Sequence, residues 1–280
     1  MSKIAVIGLV GESVFLRVER HQAVGETARA ESIHRELGGK GYNQAVAAAR
    51  YGSKVAFLCA VCKDDAAAVR ATGEREGIAM YVAGKSTPSP YGVIVTDSTG
   101  DNRVTVYGGA ELEESDVAAF RSEIESADIL LINNEVPEEV NVAAAKIARA
   151  AGKRIILNPA PVRNICDYLL RNVDIFTPNE HEAYVLSDRD NLIITLGGAG
   201  SYVKWRDTTV PAFDVGDVVD TTGAGDTFSG VLTACLGDGV CVESAARVAS
   251  AAAALEVGRR YVMPSIPRRE EIEELLDKKS

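Results

Sequence analysis

Short apolar runs alternate with helical stretches along most of the chain. The apolar runs predict buried strands at residues 4–7, 55–61, 129–132, 155–157, 175–177 and 192–195. Hydrophobic residues that recur every three to four positions predict helices at residues 43–51, 66–76, 138–151, 180–186, 227–236, 243–257 and 269–276. Strands that are apolar throughout and separated by helices are typical of a parallel sheet covered on both faces. The pattern therefore predicts an α/β fold with a central, mostly parallel sheet.

Two regions depart from this alternation, residues 12–37 and residues 90–107, which read as extended segments of mixed polarity. The second contains YGVIVTD, STGDN and RVTVYGG, two alternating strands around a glycine-containing turn, which predicts a β-hairpin. We expect both regions to pair into a small separate sheet within a single domain spanning residues 1–280. Such a sheet would be a lid that excludes water from the active site, or else a solvent-facing extension or a dimer contact. One face of the sheet could cover a site while the other face contacts a partner.

Composition and charge narrow the classes of partner. Hydrophobic residues make up 46% of the 280 residues and charged residues 25%, which is typical of a globular protein. No run approaches the roughly 18 apolar residues of a membrane span, and the amino terminus lacks the basic region of a secretory signal. We therefore expect a cytoplasmic protein without a membrane partner. The net charge is −10 and lysine and arginine form no stripe, which argues against a nucleic-acid partner.

The stretch DTTGAGDTF, residues 220–228, carries the strongest chemical signal. A strong helical pattern begins directly after Gly223-Ala-Gly225, and the start of a helix has unpaired N–H groups and a partial positive charge. Glycines let a phosphate approach that backbone, so the stretch can bind an anion without a lysine, which suits the acidic composition. Asp226 would accept a proton from a hydroxyl that attacks the phosphate. The alternative is an acidic residue that only complements the helix dipole.

Two phosphate-binding motifs that are common in α/β proteins are missing from the sequence. GGKGYN has glycine after Gly-Lys, where a P-loop has serine or threonine. After the first strand the chain reads GLVGES, where a dinucleotide-binding protein has G-x-G-x-x-G. If the protein handles phosphate, the DTTGAGDTF stretch is the place where it does so.

Three further stretches contain residues suited to ligands. In GGKGYNQAVAAARYG, Lys40 and Asn43 would donate hydrogen bonds to a polyhydroxylated ligand, or else form a flexible turn with a solvated lysine. In TPNEHEA, Asn179 and Glu182 share a helix face and suit Mg²⁺, or else are an N-cap and the acid three residues later. In ITLGGAGSY, residues 194–202, a strand runs into a glycine turn that would lie against a nucleotide or simply join two strands.

Together these stretches resemble the ribokinase-like carbohydrate kinases, also called the PfkB family, and within it the ribokinases. The resemblance covers nearly the whole chain in order, through GETARAESIHRELGGKGYNQAVAAARYG, the hairpin around GDN, LNPAP, TPNEHEA, ITLGGAG, DTTGAGDTF and the tail PSIPRREEI. The glycine motifs near the two ends are family signatures, and their joint occurrence is very specific. The resemblance implies a three-layer sandwich with a mostly parallel central sheet and a small β-sheet lid.

The resemblance also implies a role for each motif residue. Asp226 resembles the family's catalytic base, and the backbone N–H groups at its anion hole correspond to Gly223, Ala224 and Gly225. The positions that match the sugar site are Gly39, Lys40, Gly41, Asn43 and Glu135. The positions that match the nucleotide site are Asn179, Thr195, Gly197 and Gly200. The positions that match the Mg²⁺ motif are Asn179 and Glu182, and those near the family's monovalent cation, usually potassium, are Asp220, Thr222 and Ser265.

Two sugar-side positions depart from the ribokinase pattern. Ribokinases carry asparagine and aspartate just after the first strand, where both bind hydroxyls of the sugar, whereas this chain has Gly11 and Ser13. A site that lacks those partners loses affinity and selectivity for that sugar. Tyr261 also stands near the cation loop where ribokinases have a glycine, so this chain departs from the family pattern at the site of potassium activation as well.

The sequence as a whole predicts a kinase that depends on ATP and Mg²⁺, and the family resemblance implies K⁺ as a further cation. It would transfer the γ-phosphate to a hydroxyl of a small sugar, and its lid would also be a homodimer contact. The nearest rival is a nucleoside kinase of the same fold, because a changed sugar-side pocket could admit a base. A rival of another class is a sugar-binding or regulatory protein, which would bind ligand without transferring phosphate.

Overall fold

The central sheet of the computed structural model, which describes residues 1–279, has six strands. They are β1 (Lys3–Ile7), β4 (Lys54–Cys62), β5 (Ile78–Lys85), β8 (Ile129–Asn133), β9 (Arg154–Asn158) and β10 (Ile175–Phe176). Their order is β10-β9-β8-β1-β4-β5, and each adjacent pair is parallel. The sequence predicted all but β5. This strand lies at the sheet edge with most of its side chains partly exposed, so it lacks the uniform apolar run of the others.

Helices cover both faces of this sheet. One face carries α1 (Lys40–Tyr51), α2 (Ala66–Arg75), α8 (Ala224–Gly237), α9 (Val242–Val257) and α10 (Arg269–Lys278). The other carries α3 (Glu114–Ala119), α4 (Arg121–Ser126), α5 (Glu138–Ala150) and α6 (Asp167–Asn172). Successive residues of β1 point to opposite faces, so Ile4 and Val6 belong to one core while Ala5 and Ile7 belong to the other. None of the helices within residues 1–279 is long and apolar enough to cross a membrane.

Two smaller sheets accompany the central one. The first, called the lid sheet below, contains β2 (Gly11–Arg17), β3 (Ser32–Gly38), β6 (Tyr91–Thr96) and β7 (Asn102–Tyr107), in the order β3-β2-β6-β7. The predicted hairpin is present as the antiparallel pair β6 and β7. The second contains β11 (Ile193–Thr195), β12 (Ser201–Val203) and β13 (Thr208–Val210), and it follows the short helix α7 (Glu180–Tyr184).

The strand order reverses direction at β1. From β1 the chain proceeds to β4 and β5 on one side, and later fills the other side with β8, β9 and β10. In open α/β sheets, ligands bind outside the carboxyl ends of the strands at such a point. Leu9 follows β1, Glu135 follows β8 and Asn179 follows β10. The topology therefore gathers residues that are distant in sequence at one edge of the sheet.

Candidate active site

Asp226 lies in the first turn of α8, behind the N-cap Gly223, whose backbone is left-handed with φ of 91°. The aspartate is only 6% exposed. Two side-chain amides bind its carboxylate, since Asn43 Nδ2 donates to Oδ2 at 2.8 Å and Gln44 Nε2 donates to Oδ1 at 3.2 Å. These bonds fix the orientation of the carboxylate at the start of the helix.

The backbone at the start of α8 presents free hydrogen-bond donors. The N–H of Ala224 makes a long 3.4 Å contact with the carbonyl oxygen of Thr221. The N–H groups of Gly223 and Gly225 donate to no acceptor within residues 1–279. Unpaired N–H groups and the helix dipole together favour an anion at this turn.

Gln44 is a residue of the site that the sequence did not single out. Its side chain is fully buried, and Nε2 also donates to Asn158 Oδ1 at 3.1 Å. It reaches Asp226 because α1 and α8 pack closely, so closely that a Cβ on Gly230 would lie 2.4 Å from the Gln44 carbonyl oxygen. The side-chain oxygens of Asn43 and Gln44 have no hydrogen-bond partner within residues 1–279. The Asn43 amide can therefore rotate if Asp226 changes, whereas the bond to Asn158 holds the Gln44 amide in place.

Lys40 and Glu135 meet beside Asp226, although 95 positions separate them in sequence. Glu135 Oε2 accepts the backbone N–H of Lys40 at 2.6 Å, and Asn133 Oδ1 accepts the backbone N–H of Glu135 at 2.9 Å. The charge of Asp226 raises the pKa of Lys40, and Glu135 adds to this effect. Burial raises the pKa of Glu135 to about 7, and the charge of Asp226 contributes. The charge of Glu135 thus acts on the Lys40 ammonium group, while burial holds the pKa of Glu135 at about 7.

A cavity of about 250 Å³, called the acceptor cavity below, opens in front of Asp226. Its polar side includes Gly39, Lys40, Asn43, Glu135, Gly223 and Asp226. Its lid side includes Gly11, Ser13, Phe15, Ile94, Val104 and Val106. The structure thus brings the predicted sugar-site residues together, with one exception. Gly41 packs against the backbone of Gly8, where a Cβ would approach the Gly8 Cα to 2.6 Å.

Gly11 leaves no room for a side chain at the lid side of the acceptor cavity. A Cβ at this position would lie 2.2 Å from the carbonyl oxygen of Pro90. Ser13 offers one hydroxyl group, packed close to the backbone of Gly38. The backbone of Pro90 therefore occupies the space that a side chain at position 11 would need.

A second cavity of about 660 Å³, called the nucleotide cavity below, lies on the other side of the same turn. The predicted nucleotide residues that line it are Asn179, Thr195, Gly197 and Gly200. Ala224 and Gly225 line it as well, whereas Gly223 and Asp226 line the acceptor cavity. The first turn of α8 therefore separates the two cavities, and an anion bound there is accessible from both.

Asn179 and Glu182 form a capping box at the start of α7. Asn179 Oδ1 accepts the backbone N–H of Glu182 at 2.8 Å, and Glu182 Oε2 accepts the backbone N–H of Asn179 at 2.9 Å. Glu182 Oε1 accepts a third bond from Asn179 Nδ2 at 3.0 Å. This is the capping arrangement that the sequence left open. Because both carboxylate oxygens are already bonded, the pair would contact Mg²⁺ through metal-bound water.

Glu256 adds a buried carboxyl group to the predicted cation loop. Asp220 Oδ1 accepts the N–H of Thr222 at 2.9 Å, and Ser265 Oγ donates to the carbonyl oxygen of Arg260 at 2.9 Å. Glu256 is 1% exposed, no basic side chain of residues 1–279 forms an ion pair with it, and the Thr227 hydroxyl is a hydrogen-bonding neighbour. Burial raises its pKa well above the usual range. Such a group must be protonated or paired with a cation.

The chain is similar to known proteins over most of its length. Residues 1–269 match the family model described as pfkB family carbohydrate kinase. The chain is 33% identical over 298 residues to the ribokinase of Bacillus subtilis, with 99% of this chain and 100% of that protein covered. It is 35% identical over 301 residues to the bifunctional ribokinase/ribose-5-phosphate isomerase A of Fructilactobacillus sanfranciscensis. That match covers 97% of this chain, which spans 56% of the longer protein.

Solved structures of ribokinases are also similar to this chain over nearly its whole length. The ribokinase of Thermotoga maritima has a TM-score of 0.88 and 31% identity, with 99% of this chain and 100% of that chain covered. The Arabidopsis thaliana ribokinase, solved in complex with ribose and ATP, has a TM-score of 0.86 and 26% identity, with 98% of each chain covered. These similarities, together with the six-stranded parallel sheet between two helical layers, confirm the predicted fold class.

Proposed function

Because the chain belongs to the pfkB family of carbohydrate kinases and is an ATP-dependent sugar kinase, we propose that Asp226 is its catalytic base. One observation carries this proposal. At the first turn of α8, Asp226 faces the acceptor cavity while Gly225 faces the nucleotide cavity. A γ-phosphate bound at this turn would have ADP on one side and a sugar hydroxyl on the other.

The groups around this turn supply the positioning and charge stabilisation that phosphoryl transfer needs. Asn43 and Gln44 hold the Asp226 carboxylate, which accepts a hydrogen bond from the sugar hydroxyl. The hydroxyl oxygen bonds to phosphorus, the bond from phosphorus to the ADP oxygen breaks, and the hydroxyl proton passes to Asp226. The free N–H groups of Gly223 and Gly225 donate to the phosphoryl oxygens, where charge builds up.

We expect a primary hydroxyl of a small sugar to be the acceptor, with D-ribose used poorly. Gly11 and Ser13 replace two groups that would bind its hydroxyls, so D-ribose should have a kcat/KM about tenfold or more below that of the best acceptor. The measurement is ADP release with a panel of pentoses, hexoses, deoxy sugars and nucleosides. Binding without transfer to any of them would favour the non-catalytic alternative, and a preference for D-ribose would contradict the expectation.

A nucleoside is the second candidate acceptor, and the lid side of the acceptor cavity favours it. Phe15 and Ile94 are apolar, and Val104 and Val106, 60% and 64% exposed, extend the same wall. A sugar alone would leave these valines in water, whereas the base of a nucleoside would cover them. The nucleosides in the panel separate this candidate from a free sugar.

We propose that Mg²⁺ accompanies the nucleotide and that a monovalent cation, K⁺ as the family resemblance implies, binds near Asp220. Asn179 and Glu182 would hold Mg²⁺ through its waters, and the metal would neutralise nucleotide charge. The buried Glu256 supports the monovalent site, since a cation there would let its carboxyl group ionise, whereas burial alone favours the protonated form. A chelator should abolish turnover, and exchanging potassium for choline should reduce it. Full turnover in the chelator would exclude the Mg²⁺ role.

We propose that the protein is a homodimer that associates through the lid sheet. Side chains alternate across this sheet, so Ile33 and Tyr107 lie on the face opposite the acceptor cavity. They are 57% and 51% exposed, and Leu16, Val93 and Val95 lie on the same face between them, so this face carries apolar side chains of the kind that mark interaction surfaces. Sedimentation equilibrium should give twice the mass of the chain, and Ile33→Glu should shift it to the monomer. A wild-type protein of monomeric mass would contradict this assembly.

A further inference from the structure

Glu36 joins the lid sheet to the loop that follows α9. It lies on β3, opposite Ser13 on β2, and its side chain is 6% exposed. Its Oε1 accepts two backbone N–H groups of that loop, from Val262 at 3.0 Å and from Met263 at 3.3 Å. Bonds from N–H groups to a buried carboxylate are stronger than bonds between neutral groups. The lid thus holds the backbone of this loop at two adjacent residues.

Aromatic contacts reinforce the same connection. Tyr261, next to Val262 in the loop, stacks on His34 of β3 with 3.8 Å between ring centroids. Phe15 of β2 meets the edge of Tyr261 at 5.4 Å. Tyr261 has φ of 66°, a left-handed conformation that is unfavourable for any residue but glycine. The lid contacts therefore stabilise a loop conformation that the tyrosine would not adopt by itself.

The loop in turn contacts the anion-binding turn of α8. Val262 is buried and lines the acceptor cavity. Its side chain packs directly against Gly223, where a Cβ would lie 2.7 Å from Val262 Cγ1. Gly223 is the N-cap of α8, and its N–H group has no acceptor within residues 1–279. A continuous series of contacts therefore leads from Glu36 through Val262 to the place of phosphate transfer.

We propose that Glu36 is a positioning residue that couples the lid sheet to the anion-binding turn. When the lid covers a bound acceptor, Glu36 holds the N–H groups of Val262 and Met263, and Val262 holds Gly223 in its left-handed conformation. The phosphate site is then fully formed only while the acceptor is enclosed, which disfavours transfer to water. This inference rests on the kinase function proposed above.

The test compares Glu36→Ala with Glu36→Gln, using Glu31→Ala as the control. Alanine removes the acceptor of both N–H groups, whereas glutamine keeps an amide oxygen that can accept both. Glu31 is exposed and lies just before β3. For Glu36→Ala we expect a kcat about 10- to 100-fold lower and amide hydrogen exchange at Val262 and Met263 faster by a similar factor. In Glu36→Gln, kcat and the amide exchange rates should stay within about threefold of the wild-type values. In Glu31→Ala, both quantities should equal those of the wild type.

Three outcomes would overturn the coupling. One is wild-type kcat in Glu36→Ala, and another is a reduced kcat with unchanged exchange at Val262 and Met263. The third is Glu36→Gln as impaired as Glu36→Ala, which would mean that the charge of Glu36 acts rather than its hydrogen bonds. A failure of the kinase function would look different, because the wild type itself would then release no ADP with any acceptor. Even then, unchanged amide exchange at Val262 and Met263 in Glu36→Ala would show that Glu36 does not hold this loop.

Discussion

Replacing Asp226 with asparagine should lower kcat by about 100- to 10,000-fold while nucleotide affinity stays within about threefold. The carboxylate faces the acceptor cavity, so asparagine removes the group that accepts the hydroxyl proton. The backbone N–H groups that bind phosphate are unchanged by the substitution. The loss should therefore fall on the chemical step and leave nucleotide binding intact.

The fold should tolerate this substitution because the surrounding amides can adapt. Asparagine places an NH₂ group where Asn43 and Gln44 now donate to a carboxylate oxygen. The Asn43 amide can rotate by 180° and present its oxygen, since Asn43 Oδ1 has no other partner within residues 1–279, while Gln44 keeps its bonds to Asn158 and to the remaining oxygen of residue 226. A melting temperature close to that of the wild type would show that the loss of turnover is chemical.

The matched control is Asp217→Asn, which makes the same change of charge in the loop before α8. Asp217 is exposed, so its substitution should leave kcat and nucleotide affinity unchanged. ADP release with the best acceptor measures turnover, and calorimetric titration with ADP measures affinity. If Asp226→Asn retained more than about a tenth of wild-type kcat, proton acceptance by this aspartate would not be part of the mechanism.

The sequence predicted the helix start at residues 223–226 because its signals are local. The start of α8 follows from glycines beside a strong helical pattern, and this places Asp226 in the first turn whatever the rest of the chain does. The strands of the central sheet are apolar on both faces, so their runs are visible without any knowledge of pairing. Lys40 and Asn43 were candidates from the GGKGYN stretch itself and Glu135 only through the family resemblance, and all three line the same cavity as Asp226.

The residues that the sequence missed depend on packing between distant elements. Gln44 looks like any polar residue of an alanine-rich helix until α1 meets α8 at Gly230. Glu36 and Glu256 read as ordinary charges of a strand and a helix, yet one bonds to a loop 226 positions away and the other is buried unpaired beside Gly223. Local patterns contain no information about such long-range contacts.

Replacing Gly223 with alanine should lower kcat at least 100-fold and destabilise the protein by about 2–5 kcal/mol. An alanine at φ of 91° costs about 1–2 kcal/mol in backbone strain. Its Cβ would also lie 2.5 Å from Glu256 Oε1 and 2.7 Å from Val262 Cγ1, and overpacking of this kind adds about 1–3 kcal/mol. Relief of these contacts moves the turn, and misplacing one phosphate donor is enough for the loss of turnover.

Alanine substitutions at two other glycines distinguish the backbone strain at Gly223 from the steric contacts of its new Cβ. Gly239 has φ of 82°, and a Cβ at this position would meet open space. Gly239→Ala should therefore show only the backbone strain, with normal turnover. Gly225→Ala also has open space and a helical backbone, so its stability should not fall, while its methyl group, which faces the nucleotide cavity, should raise the KM for ATP. Denaturant unfolding and ADP release measure the two quantities. Gly223→Ala with the modest instability of Gly239→Ala and wild-type kcat would show that phosphate is not bound at this turn.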